Sequence, residues 1–177
     1  MTLPIQFSIR LIHWAMAALI LAMLISGFFM VNTQAYSLYP WHKSFGVIAA
    51  VAIALRLYWR SQQRWVSSTQ GTRLELPVRL AHGLILLLLV LMPASGFMLS
   101  GLGGYGVALF GVEIVPSNFN AAGSAVPISE PLAALGYRLH TMFAITLSVL
   151  LTLHILAALK HHCIDKDATL RRMVGRA

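Results

Sequence analysis

Long apolar runs, broken at a few polar points, set the layout of this chain. Leu11 to Val31 is apolar throughout except for His13 and Ser26. A second run covers about Trp41 to Trp59 and tolerates Arg56 near its end. A third spans Leu80 to Leu99, and a fourth runs from about Leu132 to Leu159. An apolar stretch of about 18 residues or more with few charges is long enough to cross a bilayer as a helix. The pattern predicts an all-α fold: one integral membrane four-helix bundle over 1–177, with helices at about 9–31, 41–60, 78–100 and 132–161. A loop, 100–131, joins the last two helices.

Composition supports a membrane setting. Of the 177 residues, 58% are hydrophobic and only 10% charged, against roughly 25% charged in a soluble domain. The net charge of +8 would suit nucleic acid if it were clustered, so the placement of the cations decides. Eleven of the 13 Lys and Arg fall on one side: Arg10, then Arg56, Arg60, Arg64, Arg73 and Arg79, then Lys160, Lys166, Arg171, Arg172 and Arg176. Only Lys43 and Arg138 lie near the other mouths of the helices. This asymmetry predicts cytoplasmic N- and C-termini in a multi-pass membrane protein. The cations set topology and meet anionic lipid, and nucleic acid is not an expected partner. The first apolar run exceeds the roughly 7–15 residues of a signal-peptide core, and Thr33-Gln34-Ala35 is a poor cleavage site, so it is expected to be retained. The lone Cys163 excludes an intrachain disulfide and a thiolate-held Fe–S cluster.

Two imidazoles, His140 and His154, sit inside the fourth apolar run. An ionisable group there is costly and points to function; the plainer alternative is a neutral His hydrogen-bonded to a neighbouring helix. Fourteen residues separate the two by roughly 21 Å along a helix and return to nearly the same face. Each depth also has a partner. His13 near the inner end of the first helix is level with His154, and His42 at the outer end of the second is level with His140. Facing imidazoles at two depths suit two bis-histidine b haems. Zinc would want four clustered ligands, and Glu75, Glu113, Glu130, Asp165 and Asp167 all lie in loops or the tail. Gly46 and Gly136 lie four residues from His42 and His140, where they leave room for a macrocycle or simply allow close helix packing.

An internal repeat keeps one assignment open. Arg10-Leu11-Ile12-His13 recurs as Arg79-Leu80-Ala81-His82, and Ser26-Gly27-Phe28 as Ser95-Gly96-Phe97, both at an offset of 69. His82 is therefore level with His13, and by spacing either faces His154. Arg10 and Arg79 lie where a guanidinium can meet a haem propionate or snorkel to the interface.

The chain resembles the bacterial cytochrome b561 family of short four-helix dihaem membrane proteins. The resemblance spans nearly the whole chain. It is carried by Ile12-His13-Trp14, Leu135-Gly136-Tyr137, Leu153-His154, Ala157-Ala158, His161-His162, Lys166-Asp167, Thr169-Leu170 and Arg172-Met173. It implies axial ligation of the inner haem by His13 and His154 and of the outer haem by His42 and His140, with His82 in a supporting or quinone-side role. The Gly- and Pro-rich loop 100–131 is expected to fold over the outer haem, with no role assigned to its residues. The resemblance also implies a location in the bacterial inner (plasma) membrane and one-electron transfer across it. Superoxide oxidation at the periplasmic face with ubiquinone reduction in the membrane, an oxidoreductase activity, is the leading expectation. Lys43 and Arg138 would then draw the anion, against Glu113 and Glu130, or else they merely anchor the interface. His161, His162, Trp14 and His82 are the groups offered to a quinone, although His161-His162 also suits a solvated helix end. The competing reading is a haem subunit relaying electrons from a dehydrogenase or hydrogenase partner to quinone. A haem-free transporter or scaffold would instead give a colourless preparation.

Overall fold

A computed structural model describes residues 5–62, 71, 73, 75–167 and 169–175. Arg64 and Arg176, counted above among the inner cations, lie outside them. Four long helices dominate: α1 (Ile5–Thr33), α2 (Tyr39–Ser61), α3 (Glu75–Leu102) and α4 (Glu130–Cys163), each long and apolar enough to cross a membrane. Each runs a little past its apolar stretch. In α2 and α4 the reason is a proline, Pro40 and Pro131, in the first turn, where its preset φ starts a helix and its missing N–H costs nothing.

Large side chains cover the outside. Ile25 is 69% exposed and Leu80 63%, a surface that only lipid can cover. Inside, Met16 and Leu24 of α1, Ile53 of α2, Leu88 and Leu89 of α3 and Leu147 of α4 form the central core. Leu147 is only 1% exposed and stands midway between His140 and His154, seven residues from each. The core thus separates two polar levels within the bundle.

The most extensive helix contact joins α3 and α4. It closes around Gly136, where an added Cβ would lie 2.6 Å from the Leu99 backbone nitrogen. This glycine therefore serves close helix packing. Gly46, by contrast, faces only the tip of Met23 at 3.8 Å. Replacing Gly136 by Val is expected to part the two helices and lower the thermal unfolding midpoint in detergent, by about 1–3 kcal/mol of overpacking strain.

The all-α expectation holds for the membrane part, but the 100–131 loop, at the end called outer for its few cations, adds structure that hydropathy could not show. β1 (Val107–Leu109) and β2 (Val112–Val115) form an antiparallel hairpin. Its two turn residues, Phe110 (φ 47°) and Gly111 (φ 92°), both adopt the left-handed conformation that such a tight turn requires. The hairpin is fastened to the outer end of α2. Buried Ser44 shares its one proton between the Pro40 and Ala108 carbonyls (2.9 and 3.2 Å) and accepts from the Phe110 N–H (2.9 Å). On the other side, a short α5 (Thr169–Val174) follows α4 and packs against it.

Candidate haem sites

At the outer level the structure brings His42 of α2 and His140 of α4 together, their ring centroids 6.4 Å apart and nearly perpendicular. Their Nδ1 atoms are held by the repeated segments of α1 and α3. Ser26 Oγ gives its single proton to the Met23 carbonyl (3.1 Å), so toward His42 Nδ1 at 3.3 Å it can only accept. On α3, Ser95 Oγ likewise donates to the Met92 carbonyl (2.8 Å) and accepts from His140 Nδ1 (3.1 Å). The Met92 carbonyl itself also lies 3.1 Å from His140 Nδ1. With the serine protons on the Met carbonyls, both Nδ1 atoms carry a proton and both Nε2 atoms keep a lone pair. That is the tautomer a metal ligand needs. Two imidazoles at this separation would suit one metal ion held between them, and their neutral nitrogens would suit iron.

The glycines that serve this level are Gly27 and Gly96. A Cβ on either would stand 3.4 Å from His42 Cε1 or 3.2 Å from His140 Cε1. They follow the two serines directly, so one Ser-Gly pair both holds and admits each imidazole.

The inner level gathers three imidazoles and a guanidinium. His82 of α3 and His154 of α4 meet with ring centroids 5.4 Å apart. His13 of α1 lies close enough to both for their charges to interact, and its Nδ1 is 3.1 Å from Arg56 Nη1 of α2. A guanidinium can only donate, so in this contact His13 Nδ1 is the acceptor. In the sequence Arg56 reads as a tolerated charge near a helix end and as one of the eleven cations on that side. The available signal was its place: a guanidinium more than a turn inside a span needs a partner at that depth.

The remaining candidates are spread over the two surfaces. Outside, Lys43 Nζ binds the Tyr105 and Gly106 carbonyls (3.1 Å each), which ties the loop to α2 beside the outer pair. A shallow cavity of about 190 Å³ opens there, lined by Pro40, Lys43, Tyr105, Glu113, Ser117 and Phe119. The N–H and hydroxyl of Ser117 bind the exposed Glu113 carboxylate (3.2 and 2.7 Å) and hold its pKa below the usual value. Arg138 is exposed.

Inside, the Trp14 indole N–H is committed to the Met173 carbonyl of α5 (3.0 Å). Arg10 lies against Gly175, just past α5, and Arg79 is exposed. His161 Nδ1 stands 3.0 Å from carboxylate oxygens of both Asp165 and Asp167, though neither approaches along a hydrogen-bond direction. Lys160 pairs with Asp165 at 2.8 Å. His161 therefore belongs to a charged helix end, and His162 is exposed beside it. Between the two histidine levels a groove of about 290 Å³ runs along the α1–α4 seam, with Leu21, Ile25 and Phe28 on one wall and Leu151 and Ile155 on the other.

The chain is similar to known proteins. A family profile described as prokaryotic cytochrome b561 matches residues 6–176. The chain is also 31% identical over 174 residues to the Escherichia coli K12 protein named cytochrome b561 homolog 2, covering 93% of this chain and 88% of that protein.

Proposed function

This chain belongs to the prokaryotic cytochrome b561 family of haem b membrane electron-transfer proteins, and from that premise we propose that it holds two haems b and carries electrons between superoxide outside and ubiquinone in the inner membrane. Bound haem would supply reversible one-electron chemistry at an iron with no open coordination position. The observation that supports the proposal is the outer pair, where two imidazoles of different helices lie 6.4 Å apart, each with its Nδ1 facing an acceptor.

The residues take these parts. His42 and His140 offer Nε2 to the outer iron. His154, with His13 opposite, serves the inner iron, and Arg56 lies where it can pair with a propionate in company with Arg10 or Arg79. A second reading of the inner site, with His82 in place of His13, is favoured by the 5.4 Å approach of His82 to His154. Leu147 and the core around it exclude water between the levels. At the outer face Arg138 presents an exposed positive charge to an anion, while Lys43 holds the loop in place over the pair. Each superoxide gives up one electron and leaves as dioxygen; two electrons and two protons convert the quinone to quinol. The excess of cations at the other end supports a cytoplasmic position for both termini.

The test is made on the purified chain. Two haems b per chain, and reduction of a soluble ubiquinone analogue by generated superoxide, are expected. A colourless protein would overturn the haem assignment. Intact haem that superoxide cannot reduce would overturn the superoxide step and leave a relay from a protein donor, such as a dehydrogenase or hydrogenase. Arg138→Gln should slow the superoxide reaction severalfold and flatten its ionic-strength dependence if that guanidinium steers the anion.

A further inference from the structure

The repeat noted in the sequence is longer than Ser-Gly-Phe. Met23-x-x-Ser26-Gly27-Phe28 on α1 matches Met92-x-x-Ser95-Gly96-Phe97 on α3, and every shared polar contact described above falls within it. In each copy the Met carbonyl takes the Ser proton, the Ser oxygen faces an imidazole Nδ1, and the Gly leaves space for the ring. Neither segment belongs to the helix that carries the histidine it serves.

The copies differ at one point. His140 Nδ1–H has two acceptors, Ser95 Oγ and the Met92 carbonyl, both at 3.1 Å. Among the described residues His42 Nδ1–H has one, Ser26 Oγ, at 3.3 Å. Where α1 has Leu24, α3 has Pro93, next to the carbonyl that makes the additional contact.

We infer that the two Met-x-x-Ser-Gly segments are a duplicated positioning device for the outer histidines, in which Ser26 alone sets the proton and basicity of His42 while Ser95 is backed by a main-chain carbonyl. The inference rests on the two-haem reading of the outer pair. An acceptor on Nδ1–H makes an imidazole a stronger donor to a metal at Nε2 and favours the oxidised iron. Losing Ser26 Oγ leaves His42 Nδ1–H without its acceptor. Losing Ser95 Oγ leaves the Met92 carbonyl in place. The first loss is therefore the greater, although the two serines occupy matching positions in the repeat.

The experiment compares haem-loaded full-length protein with Ser26→Ala, Ser95→Ala and Ser26→Thr. Three quantities are read: haem per chain, the midpoint potential of each haem by spectroelectrochemical titration, and the ferric resonance of the outer haem. All variants are expected to keep two haems. Ser26→Ala should raise the outer potential by about 59 mV, a roughly tenfold change in the reduction equilibrium. Ser95→Ala should move it by less than half as much, and Ser26→Thr, which restores the hydroxyl, should return it most of the way. The inner potential should stay fixed. Equal shifts from the two Ala variants, or no shift with two haems retained, would overturn the inference. If Ser26→Ala loses the outer haem, Ser26→Thr against Ser26→Val decides: loss or an equal shift in both overturns it, and a normal potential in Thr alone supports it. A wild-type chain without an outer haem would overturn the two-haem reading instead, and haem counting separates the two failures.

Discussion

His140→Ala is expected to leave a protein with one haem where the wild type has two, and His42→Ala should give the same count. Each imidazole is one of only two groups that meet at the outer level, so neither loss has a substitute among the described side chains there. The two variants should differ in stability. Removing His140 takes one donor from both Ser95 Oγ and the Met92 carbonyl, in a part of α3 where Ser95 is 4% exposed and still bonds that carbonyl. Each hydrogen bond lost from such a buried site costs about 0.5–1.5 kcal/mol. Removing His42 frees only Ser26, which is less deeply buried. The apoprotein of His140→Ala should therefore melt at a lower temperature than that of His42→Ala. Gly96→Leu reaches the same site without touching a histidine. A Cβ there already stands 3.2 Å from His140 Cε1, and the rest of a leucine would displace the ring. Loss of the outer haem alone in Gly96→Leu, counted as haem per chain with the inner spectrum preserved, would tie the site to this packing. Retention of both haems in His140→Ala would remove the outer pair from consideration.

The spans were legible because bilayer burial acts on long stretches, and any window of suitable length reports it. The two depths of histidine were legible as well, since helical rise converts a spacing of fourteen residues into a height. The inner site was less so. Spacing alone puts His13 and His82 at one level, and the side-chain directions that separate them come from helix rotation, which the sequence does not print. Arg56 was hidden for a related reason. An arginine near a helix end is ordinarily read as interfacial, and only the approach of α1 shows it meeting His13. The serines were visible as a repeat, but their meaning required two further helices to deliver imidazoles to them. Local turn chemistry made the hairpin readable in principle at Phe110-Gly111, although a pattern of period two over three and four residues is too short to stand out. Gly136 shows the limit of face arguments: it shares a helix face with His140 yet meets the backbone of Leu99.

The loop and the outer pair are mechanically linked through adjacent residues. His42, Lys43 and Ser44 are consecutive on α2; the first is held from α1, and the other two fasten residues 105–110. Lys43 contributes to the outer face first as a clamp, with its ammonium already sharing two carbonyls. A change in the loop therefore acts on the same turn of helix that carries a proposed axial ligand. Arg138, exposed and two residues from His140, is the freer of the two outer cations.

His154→Ala is the second large effect, and it decides the inner site together with two companions. Three groups at that level gather around this residue: His82 touches its ring, and His13 and Arg56 lie within electrostatic range. Its loss is expected to remove the inner haem, keep the outer one and end quinone reduction, while superoxide still reduces the remaining haem. His13→Ala should repeat that spectrum if α1 supplies the opposite ligand, and His82→Ala should then keep both haems with at most a shifted inner potential. The reverse outcome, in which His82→Ala loses the inner haem and His13→Ala retains it, would assign the ligand to α3. Arg56→Gln separates the roles further. As the donor to His13 Nδ1, Arg56 favours a proton on His13 Nε2, the tautomer that cannot ligate. Ligation by His13 therefore requires this contact to open, and it leaves the guanidinium for a propionate. Arg56→Gln should then retain the inner haem but lower its midpoint potential, because a positive charge beside the iron favours the reduced state. An unchanged potential in Arg56→Gln, alongside loss of the haem in His82→Ala, would leave Arg56 fixed on His13 and make His82 and His154 the inner pair.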